Sequence, residues 1–307
     1  MTDTVIDLAV RSLTGLVDLE VERTKYRGHA RELAAAARGE LIIVLGGDGS
    51  INEVVNGVMG RDDAGPGDAG PGDAGGDGSD AGRPLIAVIP GGGANVLARA
   101  LGLPVDAAAA IRRVREVIVA GRYRTIGLGL AADRYFTFSA GLGMDAETVR
   151  EVERLRAAGR RESTPLFLRT MMRQYYRTDR RRPALTLERD GQPPISDLFL
   201  TIITNRSPWT YFRDRPLLPV PNPDFNSGLD LLALRRIRLT TIFNAVGQML
   251  YIRSRPPRGR DMLSVLGSES LIVRSARPIA FQVDGEYLGE TEAVKFQFVP
   301  HALRFVA

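Results

Sequence analysis

The chain of 307 residues contains no cysteine, which excludes a disulfide framework and thiolate metal sites and suits a reducing cytosol. Its two histidines, His29 and His301, stand far apart, so a histidine-ligated zinc site is not expected. No apolar run is long enough to span a bilayer, and the first residues lack a basic segment followed by an apolar one. Neither a membrane-spanning chain nor a secretory leader is expected. Hydrophobic residues make up 44% and charged residues 25%, which excludes global disorder.

Charge is present in excess of one sign. The formal net charge is +5, yet residues 61–83 hold six aspartates against two arginines, so the rest of the chain is more basic still, largely through arginine. Such a surplus suits a polyphosphate ligand, an anionic membrane surface or nucleic acid. No recognition motif accompanies the charge, so a nucleic-acid partner is not expected. Arginines are dense over 150–182 and again over 253–260. Leu166, Phe167, Met171, Met172, Tyr175 and Tyr176 interleave with Arg169, Arg173 and Arg177, a pattern that suits either a solvated helix face or docking on an anionic membrane.

The segment 61–83 repeats Asp-Ala-Gly-Pro-Gly and has almost nothing to bury, so it reads as a disordered acidic insert. Uninterrupted apolar strands, Leu41–Leu45 and Leu85–Ile89, each lead through a glycine turn into a helix, and 107–119 reads as a further helix. Such alternation predicts a parallel sheet covered on both faces. Beyond residue 122 short β-type runs follow at 135–139, 184–188, 198–204, 229–234, 270–273, 279–283 and 294–298, with helices near 146–177 and 240–252. The expected organisation is an α/β nucleotide-binding domain over 1–122 and a mainly antiparallel, β-rich domain over 123–307.

Four motifs could carry chemistry. In Gly46-Gly47-Asp48-Gly49-Ser50, glycines let backbone N–H groups approach a ligand, and the following helix start favours anions. Ser50 and Glu53 fit a capping box that would start this helix at Ile51, with Ile51, Val54, Val55, Val58 and Met59 on one face and Asn52 and Asn56 on another. An aspartate among the glycines calls for a counter-ion, which a phosphate with Mg²⁺ supplies. Pro90-Gly91-Gly92-Gly93-Ala94-Asn95 repeats the arrangement after the next strand, so both turns should lie on one sheet edge. Gly141-Leu142-Gly143-Met144-Asp145 precedes a helix, for which Asp145 reads as the N-cap. In Gln282-Val283-Asp284-Gly285-Glu286-Tyr287, the Asp-Gly pair between β-type runs signals a two-residue hairpin.

In this order, and with the continuation Ile51-Asn52-Glu53-Val54-Val55-Asn56-Gly57, the motifs resemble the diacylglycerol kinase catalytic-domain family, which includes soluble bacterial diacylglycerol kinases and the sphingosine and ceramide kinases. NAD kinases and phosphofructokinases share the Gly-Gly-Asp-Gly core without that continuation. The resemblance implies an active site in a cleft between the two domains and transfer of the γ-phosphoryl of ATP to a lipid hydroxyl. It implies that Thr24, Gly46, Gly47, Asp48, Gly49, Ser50, Asn52, Glu53, Gly92, Gly93, Asn95 and Glu286 lie at the nucleotide, with Asp48 close to Mg²⁺. Asp284 matches the family's general base, and Asp145 the position that recognises the lipid head group in sphingosine kinases. The implied protein is cytoplasmic and peripheral at the inner membrane face, meeting its lipid substrate there through the arginine-rich segments.

Several positions depart from the family pattern. The chain opens on Met1-Thr2-Asp3-Thr4-Val5-Ile6, which reads as the helix that should follow a first strand and its Asn-Pro loop. The expectation is therefore either an upstream segment that supplies that strand or a noncatalytic relative that binds nucleotide or lipid. Gly93 stands at the family's usual threonine, Val96 where an aspartate often follows Asn, and Asn226-Ser227-Gly228 where some bacterial members have an acidic structural Mg²⁺ site. Other substrates compatible with the motifs are a sphingosine-type lipid, which Asp145 could pair through its amine, and a soluble polyol.

Overall fold

The computed structural model describes residues 3–61, 82–160, 164–178, 182–205, 208–212, 214–221, 224–251 and 255–307. Nearly all of the acidic insert, and Arg161, Arg180, Arg181 and Arg253 of the arginine-rich runs, lie outside the described residues. The chain divides into two compact units, Met1–Ile126 with His301–Ala307, and Gly127–Pro300.

In the first unit, α1 (Asp3–Leu13) and α2 (His29–Ala36) precede β1 (Leu41–Gly46), α3 (Asp48–Met59), β2 (Leu85–Pro90), α4 (Val96–Ala100) and α5 (Ala107–Val119). β1 and β2 pair in parallel from Leu41↔Leu85 to Gly46↔Pro90. The unbroken apolar run of β2 reflects cover on both faces, since every residue after Leu85 is buried, whereas β1 at the sheet edge is half-buried along most of its length. α5 spans the expected residues because Asp106 caps it, accepting from the Ala109 N–H at 2.8 Å, and because Ala110, Ile111, Val114 and Val117 form one buried stripe.

The last seven residues belong to this unit, not to the second domain where the sequence pattern put them. Phe305 pairs in parallel with Ile86, and the Val306 N–H donates to the Ile86 carbonyl at 2.9 Å. Leu303, Phe305 and Val306 are buried there. A parallel partner across β2 comes from a distant part of the chain, and local patterning carries no sign of it.

The chain leaves the first unit through β3 (Arg124–Ala131), which carries the boundary a few residues beyond position 122. The second unit contains β4 (Arg134–Phe136), β5 (Ser139–Gly143), α6 (Met144–Ala157), α7 (Thr164–Arg177), β6 (Leu185–Arg189), β7 (Gln192–Leu198) and β8 (Leu200–Thr204). It continues with β9 (Thr210–Phe212), β10 (Arg215–Leu217), β11 (Leu229–Leu234), α8 (Leu239–Tyr251), β12 (Met262–Ser268), β13 (Ser270–Val283) and most of β14 (Glu286–Phe305).

The pairings β12–β11–β8–β5–β13 are all antiparallel, and β13 also pairs with β6 and β14. The two runs expected at 270–273 and 279–283 are one strand, with a register shift between Arg274 and Ile279 around Pro278. β7 was not expected because it contains Pro193 and Pro194. It pairs only with β6, and an edge strand tolerates residues that lack an N–H. Phe136, Phe281 and Phe296 meet edge to face at the centre of the core, with ring centroids 6.3–6.5 Å apart.

Candidate active site

The first constellation lies where β1 and β2 end. The Gly91 N–H donates to the Gly46 carbonyl at 2.8 Å, so the two glycine turns share one edge. They touch there. A Cβ on Gly92 would stand 2.7 Å from the Gly47 Cα, closer than packed atoms allow. Gly49 and Gly93, by contrast, face open space. The same two turns therefore need glycine inside to pack together and leave their outer backbone free of side chains.

α3 starts at Asp48, three residues before the start that a Ser50–Glu53 capping box predicts, with Gly47 as N-cap and no side-chain cap. Glu53 is engaged elsewhere. Its carboxylate accepts from the Gly28 N–H at 2.8 Å and the Ala30 N–H at 3.1 Å, the free amides that open α2. This anchors the 24–30 segment, with exposed Thr24 at its start, against α3. Gly57 completes the packing of the two helices, since a Cβ there would run into the Arg31 carbonyl and Ala34.

Asn52 and Asn56, on a different face from the apolar residues, are not exposed. Both are buried, and the Asn56 amide donates to the Asn52 carbonyl at 2.8 Å and to its side-chain oxygen at 3.1 Å. Asn95 closes the second turn on itself. Its Oδ1 accepts from the Gly92 N–H at 2.9 Å, its Nδ2 donates to the Gly92 carbonyl at 2.8 Å, and its own backbone is left-handed at φ 48°. The Leu97 N–H, at the start of α4, donates to Asp48 Oδ1 at 3.3 Å, linking the two turns through a side chain.

The second constellation lies in the second unit around the Asp284–Gly285 turn. Positive φ at both residues, 47° and 76°, and the pairing Val283↔Glu286 make this the two-residue hairpin read from the sequence, of the primed type. Asp284 is buried. Its Oδ2 accepts from the Thr137 N–H at 2.7 Å and the Thr137 hydroxyl at 2.9 Å. Its Oδ1 accepts from the Phe138 and Ser139 N–H groups, each at 3.0 Å. The carboxylate thus ties the hairpin to the link between β4 and β5. Glu286, beside the turn, pairs with Arg134 at 2.8 Å.

Asp145 is not the N-cap of its helix. Gly143, at φ 89°, takes that position, and Asp145 is the second residue of α6. Its side chain folds back over Gly141, where a Cβ would collide with Oδ2, and accepts from Gln282 Nε2 at 2.8 Å. Burial pushes its carboxyl up to about 6, and the Gln282 hydrogen bond only partly offsets this. Gln282 also accepts from the Gly285 N–H at 2.9 Å, so one amide joins Asp145 to the Asp284 turn.

Thr137 carries no motif-level signal, and Gln282 belongs to the fourth motif, whose pattern gives no sign of its bond to Asp145. Among the described residues no three His, Asp or Glu side chains gather as a ready metal site. The single carboxylate of Asp48 fits Mg²⁺ as a partner of nucleotide phosphates, because Mg²⁺ is commonly held by one or two carboxylates plus phosphate and water.

Residues 4–130 match the family model of the diacylglycerol kinase catalytic domain. A diacylglycerol kinase of Bacillus subtilis (strain 168) is 27% identical over 271 residues, which cover 85% of this chain and 76% of that protein. A diacylglycerol kinase of Staphylococcus carnosus (strain TM300) is 36% identical over 97 residues, covering 32% of this chain and 24% of the relative. A diacylglycerol kinase structure from Bacillus anthracis str. Sterne shares the fold at TM-score 0.64 and 20% identity, over 99% of this chain and 90% of that one. An NAD kinase structure from Archaeoglobus fulgidus, in complex with ATP, aligns at TM-score 0.50 and 12% identity, over 100% and 90% of the two chains. The continuation after the Gly-Gly-Asp-Gly core separates these two kinds of kinase, and with it residues 4–130 match the diacylglycerol kinase catalytic domain, while the chain as a whole has the fold of the diacylglycerol kinase structure.

Proposed function

We propose that the chain transfers the γ-phosphoryl of ATP to the hydroxyl of diacylglycerol or a similar lipid alcohol, as a cytoplasmic enzyme that works at the inner membrane face. The observation that carries this reading is the pair of touching glycine turns with open outer backbone. Exposed N–H groups at a helix start suit phosphate oxygens, and the negative charge of Asp48 suits a metal-bound phosphate better than a bare anion. The fold shared with a kinase structure that holds ATP supports the same choice of nucleotide.

In such a transfer the lipid oxygen forms a bond to the γ-phosphorus, the bond to the ADP oxygen breaks, and the hydroxyl proton must leave. Turn amides of 47–50 and that of Gly93 would hold the phosphate oxygens in line, since the Gly91 and Gly92 N–H groups are engaged within the turns. Mg²⁺, held through Asp48, would neutralise charge on the phosphates. Asp284 would receive the proton. Four donors already hold its two oxygens, so its direction is set in advance, and a lipid hydroxyl must share a lone pair with them. Proton transfer late in the reaction fits that competition.

A sphingoid amine alcohol is a second substrate reading, and one observation favours it. Asp145 is buried with Gln282 as its partner and, among the described residues, no cation beside it, and with a carboxyl pushed up to about 6 it is mostly ionised at neutral pH. An ammonium group would supply the missing charge.

The test is transfer of label from γ-labelled ATP to a panel of lipids in mixed micelles. Phosphorylated diacylglycerol is expected, together with a loss of about 100-fold or more in Gly92→Val, whose side chain forces the two turns apart. ATP binding by the wild-type chain with no labelled lipid from any member of the panel would end the lipid-kinase reading. Full activity in Gly92→Val would end the role of the paired turns.

A further inference from the structure

Gln282 is buried at 1% exposure between Asp145 and the Asp284 turn, and the orientation of its amide is fixed at both ends. The Gly285 N–H donates to it at 2.9 Å, so the atom that faces the turn is the oxygen, Oε1. Nε2 therefore faces Asp145, and it donates to Oδ2 at 2.8 Å. A main-chain N–H cannot become an acceptor, so Gln282 offers Asp145 a donor whatever the charge of the carboxyl. Its partner in register on β5 is Gly141, where a Cβ would collide with Asp145 Oδ2 and press on Gln282 Nε2. The missing side chain is what lets the two groups meet over the strand pair.

The elements that carry these groups are fixed as well. Arg150 of α6 pairs with Glu290 at 3.1 Å and lies 5.6 Å from the Tyr287 ring centre, and Glu153 accepts from the Tyr287 N–H at 3.2 Å. α6 thus grips β14 just after the turn, and the span that Gln282 bridges is set by the backbone. The two oxygens of Asp145 differ. Oδ1 accepts from no group among the described residues, yet it is not one of their fully enclosed unpartnered atoms, so it keeps a share of the residue's 7% exposure. With Oδ2 committed to Gln282, Oδ1 is the oxygen that a ligand can reach. The Gln282 donor also works against burial, which pushes the carboxyl up, and so favours its ionised form.

We propose that Gln282 is a positioning residue that sets substrate choice: by holding Asp145 Oδ2 it presents Oδ1 as an acceptor, which favours lipid alcohols with a second hydrogen-bond donor beside the phosphorylated hydroxyl. A free hydroxyl, an amide N–H or an ammonium group meets that demand. Diacylglycerol meets it less well, because its ester groups only accept, and an acceptor set against an ionised carboxylate leaves both unpaired. Without Gln282 only burial acts on the carboxyl, which then holds its proton and can donate to an ester oxygen instead. Substrate choice moves toward diacylglycerol. The proposal rests on the lipid-kinase reading and names the substrate feature that its site discriminates.

The test compares a sphingoid base with diacylglycerol in mixed micelles at pH 7, by label transfer from ATP and, with ATP left out, by lipid binding. Gln282→Met should lower the sphingoid-to-diacylglycerol ratio of kcat/KM by about tenfold or more, mainly through the sphingoid KM, and should lower the ratio of binding constants alike. Gln282→Glu should keep both ratios within about threefold of wild type, because one oxygen still accepts from Gly285 while the other shares a proton with Asp145, which leaves the total charge unchanged. Asp145→Asn should lower the ratios too, and Gln282→Met added to it should change them no further. A purely structural glutamine would depress both lipids equally, so unchanged ratios in Gln282→Met overturn the proposal. Lost ratios in Gln282→Glu, a further loss in the double variant, or a Gln282→Met chain that does not fold overturn it as well. Binding ratios that shift as expected with no label on either lipid remove the kinase reading and keep the role of Gln282. Label on both lipids with unchanged ratios does the reverse.

Discussion

Asp284 and Asp145 belong to the same unit, are buried to nearly the same degree and are connected through Gln282, yet their surroundings treat negative charge in opposite ways. Three backbone N–H groups and one hydroxyl converge on Asp284, while Asp145 meets one side-chain amide. Burial alone penalises an ionised carboxyl. Donors aimed at the carboxylate offset that penalty, and backbone amides are donors that cannot turn away. Glu53, partly buried in the first unit, is likewise met by main chain, since two amides at the start of α2 donate to it. Of these three, the carboxylates met by main chain are held in a fixed direction, and Asp145 is the one left open to a cationic partner.

The largest effect expected from this contrast is at Asp284. Asp284→Ala strands four donors and should lower unfolding free energy by about 3–5 kcal/mol in urea denaturation. Asp284→Asn keeps one acceptor oxygen and should fall between that variant and the wild type. A loss below 1 kcal/mol in the alanine variant would show that water replaces the carboxylate easily, and the comparison with Asp145 would collapse.

Asp145 should respond in the opposite direction and with pH. Its folded-state carboxyl titrates near 6, above its ordinary value of 3.8, so the native state prefers the neutral form. Below about pH 4 the group is neutral whether folded or not and costs nothing. Between about 4 and 6 the unfolded chain ionises first, and above that the native state carries a constant penalty of about 3 kcal/mol. Asp145→Asn, which keeps an acceptor for Gln282, should therefore stabilise the protein by about that amount at pH 7 and by almost nothing at pH 3.5, read from melting temperatures across pH. A variant less stable than wild type at pH 7 would mean that a cation answers Asp145 after all.

The smallest effect is expected at Glu53. Glu53→Ala should cost about 1–2 kcal/mol and speed hydrogen exchange at the Gly28 and Ala30 amides in particular. Unchanged exchange there would mean that the segment leading into α2 is held by other contacts.

Much of this architecture was legible in the chain itself. The unbroken apolar strands β1 and β2, the capped stripe of α5 and the Asp-Gly hairpin are local patterns, and each folds as its residues indicate. Glu53 was not legible, because a capping box three residues long and a bond to amides 23 and 25 residues away use the same side chain. Asp145 was misread as a cap for a similar reason. Aspartate at a helix start is locally favourable, but a glycine with positive φ took the cap position and freed the carboxyl to turn back over Gly141. Asn52 and Asn56 read as a face apart from the apolar one, and the structure buries both, with the Asn56 amide donating to Asn52.

The order of residues along the chain was sufficient for β1, β2, α5 and the Asp-Gly turn, because these depend on neighbours a few positions apart. Which donors meet each carboxylate was decided only when segments 23 to 147 residues apart came together. Hydrogen bonds of that span depend on a packed backbone that directs its N–H groups, and no local pattern of side chains specifies where those groups will point.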